Sequence, residues 1–166
     1  MIGNKHEIIQ ALANAPDGKQ YELKEHKGKR SLNQNAYYWQ LLAQVAAKAY
    51  ISRNRMHNEL LASYGFDQII DGQLVCTMLP DTDEAEQIAM EASTYHLRQT
   101  SKITTNNNGE RCRVWVLMRG SSEYDTAEMS RLVDGLIEEA KQVGIETLTP
   151  DELERMRCIE EQRHSK

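Results

Sequence analysis

The chain has 166 residues, 40% apolar and 27% charged, with a net charge of −5. That length suits one domain, or one domain with a tail, and is enough to enclose a real core. No apolar run nears the ~18 residues needed to span a bilayer, the first residues carry no secretory apolar segment, and three scattered cysteines, Cys76, Cys112 and Cys158, suit neither a disulfide framework nor a zinc site of paired ligands. The reading is of a reduced, cytoplasmic protein.

In chain order, residues 5–14 read as a short helix with Ile9, Leu12 and Ala13 on one side. Pro16-Asp17-Gly18 is a turn. Residues 20–25 alternate, with Tyr21 and Leu23 facing one way, and predict a half-buried strand. A helix follows over about 33–50, its buried face formed by Tyr38, Leu41, Leu42, Val45 and Ala49. Ser52 caps the next helix, with Ile51 and Met56 at the staple positions and an end near Gly65. Asp71-Gly72 between Gln68-Ile69-Ile70 and Gln73-Leu74-Val75-Cys76 is a hairpin signal. Asp81 and Glu84 frame a short acidic helix carrying Ile88 and Ala92.

Residues 94–103 and 111–118 form a second strand pair around Asn106-Asn107-Asn108-Gly109, with Val114–Met118 as a central strand. The clearest helix is 126–143. Asp125 and Glu128 make a capping box, Tyr124 and Met129 a staple, and Met129, Leu132, Val133, Leu136, Ile137 and Ala140 an apolar stripe. Gly144 suits its stop. Thr149 opens a last helix with the narrow stripe Leu153, Met156 and Ile159, which predicts a peripheral or dimer-facing element. The expected fold is α+β: about six helices with a small, mostly antiparallel sheet in one domain over 1–148, then a C-terminal helix and tail over 149–166.

Charge is unevenly spread. Residues 1–60 carry nine Lys/Arg and five Asp/Glu, residues 61–120 five and eight, and residues 121–166 six and twelve. The basic end leads into Arg30-Ser31-Leu32-Asn33-Gln34-Asn35-Ala36-Tyr37-Tyr38-Trp39. Ser31 and Gln34 fit a capping box, so part of this pattern is only a helix start. Three adjacent aromatics point about 100° apart on a helix, too far to share one core stripe. A ring left at the surface beside Lys27, Lys29 and Arg30 has the parts of a nucleic-acid site: cations for phosphate and a flat face for a base. A second cationic group, Arg98, Lys102, Arg111, Arg113 and Arg119, lies on or beside the second strand pair, with Arg111 and Arg113 on one sheet face. If that face adjoins Arg30, the two groups form one groove.

Arg-Ser-Leu-Asn-Gln-Asn-x-x-x-Trp resembles the hallmark segment of the bacteriophage NinB/Orf recombination-mediator family. Ser121-Ser122-Glu123-Tyr124-Asp125-Thr126-Ala127-Glu128-Met129, with the helix closing at Gly144-Ile145, is similar to a second block in the same order. Together they cover roughly a third of the chain, and about 51–108 does not align. The resemblance implies a non-catalytic accessory protein that binds single-stranded DNA, contacts single-strand-binding protein, helps load a recombinase, and forms a homodimer. It puts the family's DNA-associated tryptophan at Trp39. On this reading Lys27, Lys29 and Arg30 meet phosphates, Asn33 and Asn35 meet backbone or base edges, and Trp39 or Tyr37 stacks.

No catalytic, metal or cofactor site is expected. Asp17 with Glu22-Leu23-Lys24 imitates a nuclease pattern, but five residues cannot form the required hairpin when Asp17 is already in a turn. Asp81, Asp83, Glu84 and Glu86 suit a solvated helix start, the five histidines form no ligand pair at helical or strand spacing, and no glycine-rich phosphate loop occurs. Two other readings stay open: an acidic protein that inhibits a host factor by binding it or by mimicking DNA, and a structure-specific nuclease.

Overall fold

The computed structural model describes residues 4–16, 18–22, 32–149 and 151–155. In chain order these form α1 (Lys5–Ala13), α2 (Leu32–Lys48), α3 (Arg53–Tyr64), β1 (Ile69–Ile70), β2 (Gln73–Leu74), β3 (Cys76–Pro80), α4 (Asp83–Glu91), β4 (His96–Thr105), β5 (Arg111–Met118), a 3₁₀ turn (Ser121–Glu123) and α5 (Thr126–Gln142). Residues 151–155 are helical again. The fold is α+β as expected, with α2, α3 and α5 packed together beside two small antiparallel sheets.

The central helix α5 follows its sequence closely. Asp125 accepts from the Glu128 N–H at 2.8 Å while Glu128 accepts from the Asp125 N–H at 3.1 Å, which completes the capping box. All six residues of its apolar stripe are buried against Tyr38, Leu41, Leu42 and Val45 of α2 and Leu60 and Leu61 of α3. A second, smaller core joins Ala89 of α4 to Leu97 and Trp115 of the sheet.

The helix ends of α2 and α5 share one motif and differ in one residue. After α5 the Ile145 N–H donates to Ala140 O (2.9 Å) and the Gly144 N–H to Lys141 O (3.1 Å), with Gly144 at φ 71°. After α2 the Ile51 N–H donates to Ala46 O (3.1 Å) and the Tyr50 N–H to Ala47 O (3.3 Å), with Tyr50 at φ 56°. Both are Schellman closures, whose left-handed residue is ordinarily glycine. A tyrosine there costs about 1 kcal/mol in backbone strain. Tyr50→Gly is therefore expected to raise the thermal midpoint by some 2–4 °C; an unchanged or lower midpoint in a calorimetric scan refutes the strain.

The sheet order is β3-β5-β4, so Val114–Met118 does lie in the central strand. The β1–β2 hairpin pairs Ile69 with Leu74 and Ile70 with Gln73 around Asp71 (φ 50°) and Gly72 (φ 76°), the two left-handed residues of a type I′ turn. Sequence patterning does not reveal β3, whose partner on β5 lies 40 residues away for Cys76↔Val116. Several expectations are corrected. Residues 20–22 form no strand, and Tyr21 is exposed with its hydroxyl donating to Pro16 O at 3.0 Å; residues 23–25 lie outside the described residues. Ala49 is exposed beyond the end of α2, and Ala46 takes its place in the core. In α4 the cap is Thr82 rather than Asp81, and Ala89 is buried while Ile88 is exposed. Thr149 opens the last helix as expected, and its Leu153 packs into the main core.

Candidate nucleic-acid surface

Lys27, Lys29, Arg30 and Ser31 lie outside the described residues, so the surface is built from α2 onward. Asn33 is exposed on the first turn. Gln34 is fully buried, and its Nε2 donates to Ser130 Oγ of α5 at 2.7 Å; the expected capping box with Ser31 lies outside the described residues. Asn35 is half-buried, with an amide oxygen that has no hydrogen-bond partner among the described residues. Tyr37 packs against the main core and its hydroxyl accepts from the Leu148 N–H at 3.1 Å, so its ring is committed to the interior. Tyr38 is fully buried.

Trp39 is the ring that emerges. It is 38% exposed. Its inner side rests on His57 at 4.8 Å, tilted by 39°, and on the edge of Tyr38 at 5.4 Å. His57 is held in turn by a buried polar chain. Nδ1 of His57 lies 2.7 Å from the Tyr38 hydroxyl, and the His57 ring meets His96 edge to face at 5.1 Å. His96 Nδ1 lies 2.6 Å from Asn58 Oδ1, while Asn58 Nδ2 donates to Met90 O and Ala92 O at 2.7 and 2.9 Å. Since Asn58 spends its amino group on two carbonyls, His96 must donate at Nδ1. Burial pushes the Tyr38 hydroxyl up, so it stays protonated and donates to His57. Burial, and secondarily His96, pushes His57 down to about 4; burial also lowers His96. Both imidazoles are thus neutral near pH 7, and Trp39 sits on an uncharged, rigid base.

The sheet cations behave otherwise. Arg98 forks onto Asp67, with Nη2 2.9 Å from Oδ1 and 2.8 Å from Oδ2. Arg111 and Arg113 do share a face, and they converge on Asp81 at 2.7 and 2.8 Å. Those two guanidiniums, Arg111 first, hold the Asp81 carboxyl below its usual range. Arg119 pairs with Glu128 at 2.7 Å and lies over the Phe66 and Tyr124 rings. Lys102 is the exposed member of the group without an acidic partner among the described residues. In sequence, Asp67 carries no signal and Asp81 looks like part of a helix start. Their pairing is hidden there because it spans 31 residues for Asp67–Arg98 and up to 32 for Asp81–Arg113.

Tyr50 is a further surface residue that sequence patterning passes over. Its side chain is 96% exposed, in a conformation that favours glycine, between the exposed cations Lys48 and Arg53. Backbone strain of this kind, held here by the Schellman closure of α2, is a pointer to function. The signal is local: a tyrosine where the helix pattern stops and no glycine follows.

Among the described residues, no group of three or more His, Cys, Asp or Glu is arranged to hold a metal, and no helix is long and apolar enough to cross a membrane. Fold and surface together define a small α+β protein with a helix layer that carries one supported aromatic ring and, past the end of the same helix, a strained one. Comparison with known proteins adds no family: no family model, curated protein or solved structure matches the chain.

Proposed function

We propose that this protein is a non-catalytic, homodimeric accessory factor of DNA recombination, of the NinB/Orf kind, that binds single-stranded DNA and helps load a recombinase onto strands coated by single-strand-binding protein. The observation that carries the reading is the half-exposed Trp39 ring, backed by buried His57, on the helix that continues from the Arg30 motif. A ring fixed from behind offers a base a preorganised stacking face. Trp39, midway along α2, supplies stacking, and Tyr50 just past the C-terminal end of that helix, about 16 Å further along its axis, adds a second exposed ring. The sheet arginines Arg98, Arg111 and Arg113, held by Asp67 and by a shared Asp81, take a structural part instead, and Lys102 stays available to phosphate.

A fluorescence-anisotropy titration with single- and double-stranded oligonucleotides tests this. Single strands are expected to bind more tightly, without dependence on base sequence. Trp39→Ala is expected to cost ~1–3 kcal/mol of binding, as for one base lost from an aromatic platform, with its folded far-UV spectrum retained. The log–log salt slope should be about −0.7 per phosphate contact and small, since most of the sheet cations are already paired. Equal or tighter binding to a blunt duplex, or a folded Trp39→Ala with wild-type affinity, sinks the reading.

One observation favours the other class, an acidic protein that binds a host factor or mimics DNA: four of the five sheet cations are already matched by acids. The same titration with a protein partner present separates them. A mediator gains that partner when DNA is added, and a mimic loses it.

A further inference from the structure

Four large, exposed apolar side chains fall within ten residues: Ile69 (58%), Ile70 (57%), Leu74 (51%) and Met78 (54%). They belong to the β1–β2 ribbon and to β3, an outer strand of the three-stranded sheet. Val75 O accepts from the Leu117 N–H at 2.8 Å, and the Asp81 N–H donates to Arg111 O at 3.1 Å. Antiparallel pairing alternates, so Thr77 and Leu79 also turn their main-chain groups toward β5, and Cys76 and Met78 turn theirs to the open edge. From Gly72 to Pro80 there is no charged residue, in a chain that is 27% charged. Exposed edges are ordinarily blunted by charge or proline; this edge carries no charge, and Pro80, turned outward by the same alternation, stands only at its end. Asp81 at one end is already matched by two arginines, and Asp71 at the other stands at the exposed tip of the ribbon turn, off the β3 edge.

We propose that this ribbon and edge are the seam of the homodimer, with β3 pairing antiparallel to β3 of a second copy to make one six-stranded sheet. The inference rests on the dimeric reading above and assigns its location. A second copy is the occupant that the chemistry fits. A two-fold axis sets each surface against itself, so every charge near the axis meets its like. A chain of net charge −5 meets itself at least cost across an uncharged strip. The outward N–H and C=O groups of Cys76 and Met78 are also self-complementary. Ile69 and Leu74, paired across the ribbon, share one of its faces and Ile70 takes the other, so with Met78 the ribbon and edge expose several hundred Å² of apolar side chain, the size that marks an interface on an otherwise monomeric surface. Two such patches with their paired edges come to roughly 1,000 Å², the lower bound for a specific contact. The last helix, the other candidate for the seam, already spends Leu153 on its own core.

Light scattering at tens of micromolar is expected to give about 38 kDa, twice the 19.0 kDa of one chain. The double variant Ile70→Lys, Met78→Lys is expected to give the single-chain mass. Amide hydrogen exchange adds a reading that a general loss of stability does not imitate. Cys76 and Met78 N–H have no acceptor within the sheet, so their exchange should be slow in concentrated wild type and at least about tenfold faster on dilution. If the double variant fails to fold, the concentration dependence of these two amides decides alone. A wild-type dimer whose Cys76 and Met78 amides exchange fast at every concentration overturns the seam and leaves the dimer standing. A wild-type monomer at tens of micromolar overturns both.

Discussion

Acidification from pH 7 to about 4 is expected to remove about 3 kcal/mol of folding stability through His57 alone. Its imidazole titrates near 6.5 when exposed and is pushed down to about 4 in the fold. The unfolded chain therefore takes up its proton first as pH falls. Stability is full above about 6.5 and is lost progressively down to about 4. A tenfold change in proton affinity is worth about 1.4 kcal/mol, and the interval from about 6.5 to about 4 gives the total. The cause is visible in the contacts. A second proton must enter at Nδ1, where the Tyr38 hydroxyl already donates at 2.7 Å, and it brings charge to 5.1 Å from His96. Trp39 beside the ring attracts a cation, but the buried site costs more than that contact returns. His96, lowered by burial, adds in the same direction.

Carboxylates contribute mainly below pH 5, so the measurement belongs between pH 7.5 and 5. Calorimetric midpoints should fall across that range, and His57→Leu should flatten the fall while lowering stability at pH 7.5. An NMR titration in which the His57 ring protons shift with a midpoint near 6.5 would dismiss the argument. The same network ties the stacking surface to the fold. The base under Trp39 is firm only while His57 is neutral, so single-strand binding should weaken over the same acid range.

Local signals are readable where a residue answers to neighbours a turn away. The α5 capping box and stripe, the Asp71-Gly72 hairpin, and Gly144 all depend on contacts within about five residues, and each stands in the structure. Signals fail where the partner is remote. Nothing near Gln34 in sequence shows that its amide donates to Ser130, 96 residues on. Asp81 looks like a helix start until Arg111 and Arg113 arrive from β5. Strand β3 carries no alternation, because as an outer strand it is exposed at all but one of its positions. The aromatic triplet is legible only in part: geometry requires one ring near the surface, but only the packing of Tyr37 on Leu148 and of Tyr38 on His57 identifies it as Trp39.

Gly135→Ala is expected to destabilise the protein, against the usual sign. In an ordinary helix interior that change gains about 1 kcal/mol. Here a Cβ on Gly135 would lie 2.4 Å from Tyr64 Cγ and 2.5 to 2.6 Å from both Cδ atoms. Cγ is the root of the ring, so the clash cannot be relieved by swinging its far end. Either the ring leaves its rotamer or α3 and α5 separate. Overpacking of this kind costs typically 1–3 kcal/mol, which for this length lowers the midpoint by several degrees. The Tyr64 hydroxyl bond to Glu139, 3.1 Å, would be displaced with the ring. The diagnostic experiment is a double-mutant cycle with Tyr64→Ala. Tyr64→Ala removes Cγ and both Cδ atoms and so opens the space that the new methyl needs, so Gly135→Ala should be neutral or stabilising in that background, with an interaction energy of ~1–3 kcal/mol between the two changes. Additive effects would mean that Gly135 is a helix residue like any other and that the approach of α3 to α5 is set elsewhere.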